Sequence, residues 1–190
     1  MIERLFMIIP TALALVAVVI ACLVRKTGVR RMALYLVLTV YVGAVAAVTL
    51  FPLPIDRSIG AHMVQGGFIG SWCNIVPFAG IAQTFSEAAY TGWWFTIAVT
   101  ILGGNIAMFV PLGVMLPLVS PKLQKLKAAL PVFVACSVGI ELSQLLIGLG
   151  IAGYPYRVVD IDDVILNTIG GLVGFALWRL YARLREPAAS

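Results

Sequence analysis

Five stretches of this chain are each about 20 residues long, apolar and nearly free of charge, and this pattern constrains the fold most. Residues 5–24 and 32–51 carry no charge, and Pro52 and Pro54 close the second stretch. Residues 88–121 are charge-free, with the spanning part placed at 95–119. Residues 128–148 contain one charge, Glu141; residues 163–182 begin at Asp163 and hold Arg179 near their end. A bilayer core takes about 20 apolar residues per helix, so the expectation is an all-α, polytopic transmembrane bundle of five spans. Composition agrees, with 62% hydrophobic and 11% charged residues and a mean hydropathy of +1.05. A soluble domain carries roughly 25% charged residues, and a disordered chain is far less apolar. Three cysteines are too few for a disulfide scaffold.

The positions of the charges set an expected orientation. Arg25, Lys26, Arg30 and Arg31 lie between the first two stretches, and Lys122, Lys125 and Lys127 between the third and fourth. Arg179, Arg183 and Arg185 follow at the C-terminal end, which puts ten of the 13 basic residues on one side. The positive-inside rule makes that side cytoplasmic, with the N-terminus outside and the C-terminus inside. Acids concentrate on the other side: Glu3, Asp56, Glu87, Glu141, Asp160, Asp162 and Asp163, with only Glu186 inside. Trp72, Trp93, Trp94, Tyr154 and Tyr156 are expected in an outer aromatic belt, and Trp178 and Tyr181 in an inner one. The net charge of +5 is therefore topological, and nucleic-acid binding is not expected. The first stretch is too long for a signal-peptide core and is expected to stay as a helix, although Val19-Ile20-Ala21-Cys22 resembles a lipoprotein cleavage site. No repeat is visible, so the chain reads as one domain, 1–190.

Three constellations could carry chemistry. Glu141 sits about seven residues, or roughly 10 Å, from the outer end of the fourth stretch, with Gln144 on the same face. A carboxylate at that depth must be paired, hydrated or protonated; it either lines an outward cavity or makes a helix–helix hydrogen bond. The second constellation is Arg157-x-x-Asp160-x-x-Asp163-x-x-x-Asn167-x-x-Gly170-x-x-x-Gly174. Its carboxylates suit the positive end of a helix dipole, and the glycine pair suits close helix packing. The third, Asn105-x-x-x-Phe109-x-Pro111-x-Gly113, combines a proline kink with an asparagine that needs a polar neighbour such as Gln144 or Asn167. Between the second and third stretches, Asn74-Ile75-Val76-Pro77-Phe78 opens an apolar segment running to Phe85. Asn74 suits a helix cap, so an extra interfacial or re-entrant outer helix is expected there.

Several chemistries are unsupported. His62 is the one histidine and lies in the outer loop, so neither a histidine metal site nor a Ser-His-Asp triad is expected. Cys22 and Cys136 read as packing residues and Cys73 as a free outer thiol. No glycine-rich phosphate loop is present, and no cofactor is expected, although Asp160 and Asp163 would suit a divalent cation such as Mg²⁺ or Ca²⁺.

Taken in order, these constellations resemble the VanZ-like family of bacterial membrane proteins. The matching positions are Asn74, Pro77 and Phe78; Asn105, Phe109, Pro111 and Gly113; Glu141 and Gln144; and Arg157, Asp160, Asp163, Asn167, Gly170 and Gly174, over roughly 74–178. The resemblance implies a small polytopic protein of the bacterial cytoplasmic membrane. The family's founding member is associated with low-level resistance to teicoplanin, a glycopeptide antibiotic with a lipid tail. Three functions follow as expectations. The first is binding or export of a lipid-tailed molecule at the outer leaflet. The second is a membrane enzyme on an envelope lipid with Glu141 or Asp163 as acid/base. The third is a non-catalytic scaffold. The acidic outer side favours an amine or metal cation as the ligand's charged group. Membrane lipid is the expected partner, with the oligomeric state open.

Overall fold

The computed structural model describes residues 2–53 and 73–185, nearly all of them helical. A 3₁₀ turn, Arg4–Met7, leads into α1 (Ile8–Val24), followed by α2 (Val29–Leu50). Strand β1 (Cys73–Asn74) precedes α3 (Ala79–Thr91) and the single turn α4 (Trp94–Ile97). A wide-turned π segment, Ala98–Gly103, continues into α5 (Gly104–Val119). A 3₁₀ turn, Pro121–Gln124, leads to α6 (Leu126–Ile147), which ends in a second π segment, Gly148–Ala152. Strand β2 (Val159–Asp160) runs straight into α7 (Ile161–Arg185).

Four helical runs are long and apolar enough to cross a membrane: Arg4–Val24, Val29–Leu50, Leu126–Ile151 and Ile161–Arg185. The third predicted stretch is different. Its helical backbone runs from Trp94 to Val119, but the regular α-helical part is the shorter Gly104–Val119. Wide π turns and two internal prolines, Pro111 and Pro117, interrupt its hydrogen-bond ladder. A helix is present after Asn74 as expected: α3 starts five residues beyond it. His62 and Trp72 lie outside the described residues.

The chain forms two compact units, Met1–Gln83 with Val138–Asp162, and Thr84–Ser137 with Asp163–Ser190. In the first unit, α1 and α2 pack as a hairpin whose close approach needs Gly43: a Cβ there would lie 2.3 Å from the Thr11 hydroxyl oxygen. Ile2 and Leu53 bond each other in an antiparallel bridge, with N–O distances of 2.9 and 3.0 Å. Strands β1 and β2 pair in parallel, Cys73 beside Val159 and Asn74 beside Asp160. In the second unit, α7 lays a face of small residues against α5 and α6. Gly170 and Gly174 would, with a Cβ, sit 2.1 Å from the Ile106 carbonyl oxygen and 2.0 Å from that of Val110. Gly113 of α5 meets the Gly171 carbonyl at 2.1 Å in the same way, and Gly171 abuts the Phe133 ring of α6. Phe109, Phe133 and Phe175 fill the core beside this seam.

Candidate functional site

The polar residues picked out in sequence fall into two groups, one per unit. In the first unit they tie three distant segments together. Asn74 leaves β1 with its side-chain oxygen 3.3 Å from the Val76 N–H, a local turn, while its Nδ2 donates to Asp160 Oδ1 at 2.9 Å. Asp160 immediately precedes α7, and the same Oδ1 accepts the Asp162 N–H at 2.9 Å, which caps that helix. The Asp160 N–H in turn donates to Glu141 Oε2 at 3.0 Å. Glu141 is 3% exposed, and a main-chain donor meets its carboxylate.

Asp162, which belongs to none of the sequence motifs, is the cap of α3. It is 2% exposed; Oδ1 accepts the Phe78 N–H and Oδ2 the Ile81 N–H at 3.1 Å. Asn74 therefore does not cap α3, contrary to expectation, because its oxygen is already spent on Val76. Phe78 adopts a left-handed backbone (φ 66°), an uncommon state for an aromatic residue, at the point where Asp162 grips its N–H. Gly80 is the second residue missed in sequence. A Cβ there would lie 2.6 Å from Asp160 Oδ2 and 3.0 Å from Asn74 Nδ2, so the first turn of α3 can reach this knot only without a side chain.

Two neighbouring contacts complete the first unit. The last carbonyls of a helix have no intrahelical donor. At the end of α2, Gln144 Nε2 supplies one to Thr49 and Tyr156 OH one to Leu50, both at 2.8 Å. Burial pushes the Tyr156 phenol above its ordinary range, with the Arg157 charge opposing, so it is the protonated donor at neutral pH. Tyr154 is buried, so it does not join an aromatic belt; Trp93, at 64% exposed, is free to do so.

Around the knot the surface has a different character. Ile75, Val76 and Phe78 are 75%, 61% and 60% exposed, and Pro77 is exposed with them. Arg157 is exposed, whereas Asp160 is half-buried and Glu141 and Asp162 are buried. Thus Arg157 is the exposed ionic side chain of this arrangement.

In the second unit, Asn105 Nδ2 donates to Asp163 Oδ1, so the partner of Asn105 is neither Gln144 nor Asn167 as expected. Asn167, 1% exposed, donates to Ser137 Oγ at 2.8 Å, and its Oδ1 is a buried acceptor without a hydrogen bond. Ser137 precedes Glu141 by four residues and Gln144 by seven, so these three buried polar residues form one stripe on α6. That spacing was available in sequence. Cys136 is exposed on the outside of α6 and is not the packing residue expected; Cys22 is buried and Cys73 exposed. Among the described residues, no group of three or more His, Cys, Asp or Glu side chains is placed to hold a metal ion.

A model of the VanZ/LLP1 family matches residues 38–182, which takes in every motif residue described above. No curated protein and no solved structure matches the chain.

Proposed function

The chain belongs to the VanZ/LLP1 family, and from that premise we propose that this multi-pass membrane protein binds a lipid-tailed envelope molecule, teicoplanin-type lipoglycopeptides included, at the polar knot of its first unit. One observation carries the reading. The buried carboxylates Asp162 and Glu141 grip main-chain N–H groups beside the paired strands Cys73–Asn74 and Val159–Asp160, and so fix the exposed apolar segment that follows the first, Ile75–Phe78, and the exposed cation that precedes the second, Arg157. A ligand with an acyl tail and an acceptor group matches that pairing: apolar contact for the tail, a guanidinium fork for a carboxylate or phosphate. Because Arg157 is the exposed ion, the ligand's charged group at this point is an anion, which replaces the amine expected from formal charge alone.

Arg157→Lys keeps the charge and loses the fork; Phe78→Ser removes tail contact. Both are expected to lower protection against teicoplanin about tenfold at matched membrane abundance, with untailed vancomycin as the comparison. Full protection by both variants would sink this reading. A loss on Glu141→Gln with ligand binding intact would favour the acid/base enzyme instead.

The proposed topology has five spans, with the N-terminus outside and the C-terminus inside. The helical run Trp94–Val119 is long enough, at about 1.5 Å per residue, to cross a core roughly 30 Å thick. Cys73 is exposed and is expected to react with an impermeant thiol reagent in intact cells, whereas a Lys125→Cys variant lacking Cys73 is not. Labelling of Lys125→Cys in sealed cells overturns the orientation.

A further inference from the structure

We propose that the cleft at the α1–α2 turn is a binding site for the headgroup of an anionic phospholipid. A cavity of about 970 Å³ opens there, lined by Arg25, Lys26, Arg30 and Arg31 together with Tyr35 and Thr39. The turn is built by the chain itself. Arg25, Lys26 and Thr27 return their N–H groups to Ala21, Leu23 and Cys22 at 3.0, 3.1 and 2.8 Å, with Lys26 left-handed (φ 51°). The turn thus satisfies the end of α1 and leaves Arg25 and Lys26 exposed beside the equally exposed Arg30 and Arg31 of α2. α2 starts at the cleft, and its N-cap, Gly28, offers no side chain to cap the positive end of the helix dipole.

Among the described residues, no carboxylate lines the cavity and none of the four cations is ion-paired. Four like charges within seven residues repel one another, and a bound anion relieves that repulsion. The surroundings identify the anion as a lipid rather than a free phosphate. Leu23, Val24 and Val29 stand 67–77% exposed beside the cations, and in both helices only 6% of the membrane-spanning window is buried. Apolar surface for acyl chains therefore adjoins a cationic cleft for a phosphodiester, the combination that holds an anionic headgroup between helices.

The test uses the full chain purified in detergent, titrated with phosphatidylglycerol, with phosphatidylcholine of the same chains, and with soluble glycerol phosphate. Lipid retained on the protein is read by native mass spectrometry, alongside the melting temperature. Phosphatidylglycerol is expected to bind and stabilise; the other two are not. Arg30→Gln/Arg31→Gln is expected to weaken phosphatidylglycerol retention by about 10–30-fold, while Arg30→Lys/Arg31→Lys and the equal charge loss Lys122→Gln/Lys125→Gln leave it intact. If the first variant fails to accumulate, Arg25→Gln/Lys26→Gln probes the same cleft from the α1 side. Equal retention of phosphatidylcholine, equal loss in the Lys122/Lys125 variant, or equal stabilisation by glycerol phosphate would each overturn the proposal. None of these outcomes involves Arg157 or Phe78, so the envelope-ligand reading stands or falls separately.

Discussion

Alanine at Gly174 is expected to cost about 3 kcal/mol or more of stability, although it adds a single methyl group. The added Cβ would sit 2.0 Å from the Val110 carbonyl oxygen and 3.0 Å from the Gly113 Cα, both main-chain atoms that no rotamer change can move. Ordinary contact begins near 3.4 Å, so α5 and α7 would have to part by more than an ångström along a seam that also includes Gly113 and Gly170. Membrane helices gain little from hydrophobic burial against one another, so close packing supplies much of their association, and parting forfeits it. For a chain of this size 3 kcal/mol corresponds to a fall of roughly 6–12 °C in melting temperature. Gly139 is the matched control, since nothing lies within 4 Å of its Cβ position. In mid-helix, Gly139→Ala removes glycine's entropic cost and should raise stability by about 0.5–1 kcal/mol. The pair is compared by melting temperature and monodisperse yield in detergent. Equal behaviour of the two variants would show that the α5–α7 seam yields without cost.

The glycine face was legible in sequence because close helix approach demands small residues at a spacing of four, whatever the partner. The four long apolar helices were legible for a similar reason: the bilayer imposes length and apolarity on each helix separately. Pairings were another matter. Shared depth narrows the partners of Asn105 to a few polar residues, but depth alone does not separate Asp163, its partner, from Gln144. Gln144 itself bonds the Thr49 carbonyl, and a main-chain acceptor leaves no mark in the sequence. Cys136 was misplaced because a helix in lipid is apolar on its outer face as well, so hydrophobicity no longer distinguishes core from surface. Asp162 escaped because it caps a helix more than 80 residues earlier in the chain. Capping patterns are recognised within one segment, and this cap is delivered from another.

That distant cap gives the second large effect. Asp162→Asn preserves shape and volume but replaces one carboxylate oxygen by an NH₂ group. Both oxygens are in use, one by the Phe78 N–H and one by the Ile81 N–H, so in either amide orientation one main-chain donor faces another donor. Losing a hydrogen bond to a charged group and stranding a part-buried donor costs about 2 kcal/mol. The loss should appear first at the start of α3, where the left-handed backbone of Phe78 depends on that grip. Hydrogen exchange is expected to accelerate over residues 73–91, and alkylation of Cys73, next to Asn74 on β1, to accelerate with it. The second-unit contacts, Asn105 with Asp163 and Asn167 with Ser137, should keep their protection. Asp162 touches no proposed ligand group, so its part in binding is to position Ile75–Phe78, and teicoplanin protection should fall as exchange rises. Unchanged exchange over 73–91 would mean that the segment is held by something other than Asp162. Unchanged protection despite faster exchange would mean that Ile75–Phe78 is not where the tail binds.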